Sequence, residues 1–244
     1  MKLKMIFDYH THTVFSHGKG SIEDNVKAAV EKGIKSIAIT DHGPGHLTYG
    51  IKREAVKEMR EEINRLKELY PEIEILLGVE ANIVNKDNYI DISEEEAKEY
   101  DFVNAGYHYG VTNGYCISNW LFEHGILKGS KRREKLSKRN TEMFLGAIEK
   151  NNIKILTHPG DKAPIDMEAV AKACAKKGVL MEISTHHSHL TVDEIKIAAK
   201  EDVSFVISSD AHNPERVGDF QGGIDRAVEA GLDLNRIVNI LKED

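Results

Sequence analysis

The chain has 244 residues, 41% hydrophobic and 30% charged, with a net charge of −7 when histidine is neutral. That length suits one hydrophobic core, so residues 1–244 are expected to form a single domain. No apolar run approaches the roughly 18 residues that span a bilayer, and the acidic balance opposes non-specific binding to a polyanion, so a membrane protein and a general nucleic-acid binder are both disfavoured.

The opening residues lack the apolar core of a signal peptide and lead directly into a strand pattern at 4–7, which predicts a cytoplasmic protein. A helical pattern follows over 21–32, opened by Ser21 with Glu23 and Asp24 behind it, an N-cap signal. The next apolar run, 36–40, precedes a long charged helix over 52–70 closed by Pro71. Runs at 73–79 and 101–105 come next, the second followed by an aromatic, glycine-rich stretch over 107–130 that reads either as a lid or as a packed insertion. A helix over 131–150, a strand at 154–157, a helix over 166–177, a strand at 179–183 and a helix over 191–200 continue the alternation. The last strand, 203–208, is followed by helical patterns at 223–230 and 234–241. The strands are short and continuous, as expected of strands buried on both faces of a parallel sheet. Seven such alternations predict an α/β fold, and periodicity leaves open whether the sheet closes. The two cysteines, Cys116 and Cys174, share no CxxC spacing and read as reduced thiols.

All twelve histidines fall in segments that follow a predicted strand. His10, His12 and His17 follow the first strand, His42 and His46 the second, His108 and His124 the fourth, and His158 the fifth. His186, His187 and His189 follow the sixth strand and His212 the seventh. In parallel β/α folds the carboxyl ends of the strands converge on one surface, so these imidazoles are expected to meet in space. Asp8, Asp41, Glu80, Glu182 and Asp210 lie at the same ends. Imidazole and carboxylate together form the ligand set for zinc, iron or manganese, and a polynuclear metal site is expected.

The segments Asp8-Tyr-His-Thr-His12, Thr40-Asp-His-Gly43, Gly78-Val-Glu80, His108, Thr157-His-Pro-Gly160 and Ser209-Asp-Ala-His212 occur in an order that resembles the PHP (polymerase and histidinol phosphatase) superfamily. The resemblance runs from Asp8 to His212. It implies a distorted seven-stranded (β/α)7 barrel, similar to a TIM barrel, and a free-standing phosphoesterase with three divalent metal ions. By the same resemblance His10, His12, Glu80 and Asp210 hold one ion, and His17, His42 and His212 a second. Glu80, as a bridge, joins His108 and His158 around the third.

Such a site is expected to hydrolyse a small phosphate monoester, histidinol phosphate among the candidates, by in-line attack of a hydroxide bridging two metal ions. Candidates for the leaving-group acid are Asp41 and the His186–His189 group, while Asp8 and Asp41 read equally as groups that orient a ligand imidazole. Arg216 and Lys19 are candidate phosphate contacts, and Glu182 either binds substrate or hydrogen-bonds its neighbours. Three alternatives use the same residues: a phosphodiesterase or nuclease acting on short nucleotides, a non-catalytic metal-binding module, and an amidohydrolase. The last typically bridges its metals with a modified lysine at strand 4, where this chain has His108.

Overall fold

The computed structural model describes residues 2–243. A seven-stranded sheet is formed by β2 (Phe7–Asp8), β3 (Ser36–Ile39), β4 (Glu74–Asn82), β5 (Phe102–Gly106), β6 (Ile153–Leu156), β7 (Leu180–Ser184) and β8 (Phe205–Ser208). These stand in chain order, every neighbouring pair parallel. The sheet curls into a nearly closed barrel flanked by α1 (Ile22–Glu31), α2 (Ala55–Leu69), α5 (Ser130–Lys150), α6 (Met167–Lys177), α7 (Val192–Ala198) and α8 (Gln221–Glu229). Two short helices, α3 (Glu94–Ala97) and α4 (Cys116–Glu123), lie in the connections around β5. No helix among the described residues is long and apolar enough to cross a membrane.

Side chains along a strand alternate between faces, and β4 shows what this does. Ile75, Leu77 and Val79 belong to the large core cluster that also holds Met59, Ile63 and Leu66 of α2. Leu76 and Glu80 share the opposite face, toward the bore. The bore holds its own cluster: Tyr9, Ala38, Ile155 and Val206 are buried, with Phe7, Leu76, Phe102 and Leu180 packed against them. Phe7, Phe102 and Leu180 are the first residues of their strands, so the bore is apolar at its amino end.

Closure happens at the seam between β2 and β8. Thr11 pairs with Ala211, and the His12 amide donates to the Ala211 carbonyl at 2.9 Å. Lower down, the buried Asn239 side chain fills the gap. Its amide donates to Phe7 O at 2.9 Å and Ile207 O at 2.6 Å, and its Oδ1 accepts from Ile207 N at 3.1 Å.

Two expectations change, and one open alternative is narrowed. The predicted helix over 234–241 is instead one 3-10 turn, Leu234–Arg236, followed by β9 (Ile240–Glu243). β9 pairs antiparallel with β1 (Lys2–Met5), which also splits the predicted first strand at Ile6. Tertiary pairing outweighs helical periodicity here: Val238 N reaches Phe205 O at 2.9 Å, and Asn239 is needed in the seam. The 107–130 stretch is a packed insertion. Buried Asn119 of α4 exchanges hydrogen bonds with Asn140 of α5 and donates to Tyr107 Oη at 2.8 Å.

Candidate metal centre

Glu80 ends the inward face of β4 and stands, fully buried, among five imidazoles. Its Oε1 lies 3.0 Å from His158 Nε2, 3.2 Å from His10 Nε2 and 3.4 Å from His108 Nε2. Its Oε2 lies 2.9 Å from His42 Nδ1 and 3.6 Å from His12 Nε2. Asp210, at the end of β8, faces the same space, with Oδ1 3.2 Å from His12 Nε2 and 3.6 Å from His10 Nε2. His212 stacks on His12 with ring centroids 4.4 Å apart, and His17 lies 4.2 Å from His212 and 4.8 Å from His42. All nine residues expected from the sequence therefore gather at one mouth of the barrel.

The local backbone is bent to deliver them. His158 and Asp210 both have positive φ, 30° and 47°, a region that costs a residue with a Cβ about 1 kcal/mol or more. Gly106 leaves room: a Cβ there would press into Thr157 Oγ1 and come within 2.7 Å of Glu80 Oε1.

Hydrogen bonds behind the cluster determine which ring nitrogens are bare. Asn82 Nδ2 donates to Gly43 O at 3.1 Å and Asp91 Oδ2 at 2.6 Å, so its Oδ1 must be the atom 2.8 Å from His108 Nδ1. That nitrogen carries the proton, which leaves His108 Nε2 as a lone pair aimed at Glu80. Likewise His10 Nδ1 donates to Glu182 Oε1 at 2.7 Å, and His212 Nδ1 to Asp210 O at 3.0 Å. At His108 and His212 the Nε2 lone pair is thus left bare. His108 Nε2, His42 Nδ1, Glu80 Oε2 and both Asp210 oxygens are buried with no hydrogen-bond partner, a costly state that divalent cations would relieve. The donor set fits such ions.

The ionisation states of Glu80, Asp210, His12 and His108 are the ligating ones, whereas His10 and His158, beside the carboxylates, are shifted toward the protonated form. Burial pushes the Glu80 carboxyl up, but His10 and His108 more than offset it and hold it well below the usual range. Asp210 behaves alike, burial being outweighed by His10 and His12. Burial, with His42 and His212 adding to it, drives His12 well down, and burial takes His108 to about 3 against the pull of Glu80. For His10 burial acts downward, yet Glu182, Glu80 and Asp210 outweigh it and raise its pKa. Ionised carboxylates and neutral imidazoles are the ligating forms.

The remaining expected residues are placed as follows. Glu182 is fully buried and spends its second oxygen on His158 N at 2.8 Å, so of its two expected roles the hydrogen-bonding one is what the geometry gives. Asp41 accepts from Thr13 N at 2.7 Å and Thr13 Oγ1 at 2.6 Å, which braces the loop leading to His17. Asp8 accepts from Ser209 N at 3.2 Å and Gly218 N at 2.8 Å, bracing the loop that carries Asp210. Neither accepts a hydrogen bond from an imidazole. Arg216 donates to Thr185 O at 3.0 Å and faces Asp219 at 3.6 Å, and exposed Lys19 and Arg216 both stand outside the cavity above the cluster. His124 stacks on Trp120 at 4.4 Å and is remote from the other rings.

Sequence reasoning missed Asn82, Asp91 and Lys162. The signal for Asn82 was available, since two residues beyond Glu80 on a strand is the same face. His187 was seen only as an acid candidate. It bridges the cluster to Asp161, with Nε2 3.3 Å from Asp210 Oδ2 and Nδ1 3.2 Å from Asp161 Oδ2.

The PHP domain pattern matches residues 8–186. A "Probable phosphatase" of Shewanella piezotolerans is 30% identical over 97% of this chain and 90% of its own length. Another, from Shewanella sp. strain MR-4, is 34% identical over 91% of this chain and 80% of its own. Among solved structures, the histidinol phosphate phosphatase of Lactococcus lactis, complexed with zinc, L-histidinol and phosphate, has the same fold. It superposes with a TM-score of 0.62 at 17% identity, covering 94% of this chain and 95% of that one. The chain belongs to the PHP domain family and is a metal-dependent phosphoesterase.

Proposed function

We propose that the protein hydrolyses a small phosphate monoester with three divalent cations, zinc first among them. His10, His12, Glu80 and Asp210 would hold one cation, His17, His42 and His212 the second, and Glu80, His108 and His158 the third. The single observation that carries this reading is the convergence of five ring nitrogens on the buried Glu80, with His42 Nδ1, His108 Nε2 and Glu80 Oε2 left without hydrogen-bond partners. When bound, the cations supply water acidified toward neutrality and Lewis-acid charge against the phosphoryl oxygens.

The chain's own residues do the rest. Glu182 and Asn82 fix two ring orientations, and such outer contacts sustain both affinity and geometry. Thr157 Oγ1 donates to Glu80 Oε1 at 2.6 Å and holds the central carboxylate in place. The cavity above the cluster is about 200 Å³, which supports a small ester over a polymer. The Lactococcus relative's complex with L-histidinol and phosphate makes histidinol phosphate the first substrate to try.

The test is elemental analysis of purified protein combined with a phosphate-release screen over small monoesters and dinucleotides. Bound zinc, iron or manganese with turnover of a monoester is the expected result. A metal-loaded protein that releases no phosphate from any monoester would overturn the reading.

A further inference from the structure

The cavity above the cluster is lined by imidazoles, Asp210, two tyrosines and one lysine, Lys162. Nothing in the sequence pattern singles this residue out; its place does. The loop after β6 carries His158 into the cluster and, four residues later, Lys162 to the cavity. Both residues, and Gly160 between them, have positive φ: 30°, 97° and 59°. A lysine in the left-handed region is disfavoured, and strain of this kind gathers where a side chain must be aimed.

The aim is then fixed by contacts. Asp161 N donates to His158 O at 3.1 Å, and Tyr109, which also lines the cavity, donates its hydroxyl to Lys162 O at 3.1 Å. Lys162 Nζ lies 2.6 Å from Asp161 Oδ2, the oxygen that also meets His187 Nδ1 at 3.2 Å. His187 continues to Asp210. The ammonium is therefore tied, through two side chains, to the proposed metal ligands. Nζ has three protons, and Asp161 takes one of them.

A phosphate monoester and a diester differ at one oxygen. Near neutral pH the monoester is largely dianionic, with a second pKa near 6, and keeps three terminal oxygens. In a diester the third is alkylated and the extra charge is gone. A fixed cation at the cavity wall distinguishes the two. The geometry points to Lys162, held by Asp161, as the group that receives this third oxygen and so gives the site its preference for monoesters. This rests on the proposed monoester reading and adds the residue that enforces it.

The experiment compares metal-loaded wild type, Lys162→Met and Lys162→Arg. Substrates are p-nitrophenyl phosphate and bis(p-nitrophenyl) phosphate, with inorganic phosphate affinity measured by calorimetry and metal content by elemental analysis. Loss of one charge-assisted contact should lower kcat/KM for the monoester on the order of 10- to 100-fold in Lys162→Met and weaken inorganic phosphate by a similar factor. Diester turnover should stay within about threefold, metal content should not change, and Lys162→Arg should recover part of the monoester preference. Should Lys162→Met fail to fold, Lys162→Gln supplies the same comparison. Equal losses on both esters, or phosphate affinity and ester preference both unchanged at full metal content, would overturn the assignment. A wild type that prefers the diester refutes the monoester reading itself, and the calorimetric comparison then still decides whether Lys162 binds phosphate.

Discussion

The two ends of the barrel bore are built from the same strands and obey opposite rules. At the amino end Phe7, Tyr9 and Phe102 stack with ring centroids 4.2 and 5.3 Å apart, and the aliphatic residues beside them fill space without directed bonds. At the carboxyl end the inward positions hold Glu80, Asn82 and Asn104, and several polar atoms have no partner at all. The first end tolerates any apolar group of suitable volume. The second is an arrangement that hydrophobic burial opposes and only a ligand completes. Stability resides at one end and chemistry at the other, and substitutions should separate them.

The largest separation should come from Glu80→Ala. Removing the shared carboxylate should lower bound metal below stoichiometric and phosphatase activity by about 1,000-fold or more, read by elemental analysis and phosphate release. Wild-type rates in that variant would refute the central role of Glu80. A smaller effect is expected one contact farther out. Asn82→Ala frees the His108 ring while Asp91 keeps its backbone donors, and should weaken metal binding by about 10- to 100-fold with the fold retained, as metal titration would show.

At the other end Ile155→Val should reverse the pattern. It should cost about 1 kcal/mol in denaturant unfolding while kcat and metal content stay within about twofold. The smallest effect belongs to Glu194, which accepts from His189 and caps the start of α7 through Thr191. Burial raises its pKa, but these hydrogen bonds outweigh it and bring it below the 4.5 of an unfolded chain. Its stabilisation is therefore full above pH 4.5 and lost as pH falls through the lowered value. Glu194→Gln should destabilise by about 0.5 kcal/mol at pH 7, and unfolding curves of variant and wild type should converge in acid.

How far the sequence foretells this depends on where a residue's partners lie. His10, His12, Glu80 and Asp210 are legible because a strand's end is visible in its apolar run, and parallel topology does the gathering. Asn239 is not: its partners, Phe7 and Ile207, are 232 and 32 residues away, and an asparagine between apolar residues has no local signature. The same holds for cations. Arg216 and Lys162 both follow a strand by a few residues, and only the fold shows one turned to a carbonyl and the other to the cavity. The terminal segment fails for a third reason, since spacing that suits a helix also suits a turn and a strand when another chain edge is waiting.

The Asn239 seam bears on how the ring opens and shuts. Every other junction in it joins consecutive strands by backbone ladders, whereas this one joins the two ends of the strand order through one backbone bridge, Thr11 with Ala211, and the Asn239 side chain. Closing it brings together segments some two hundred residues apart, a loop-closure cost that no junction between consecutive strands carries. The imidazole pair His10–His12 leaves the barrel on one side of that junction and Asp210 on the other. A hoop clasped there holds its cations only while the clasp is fastened.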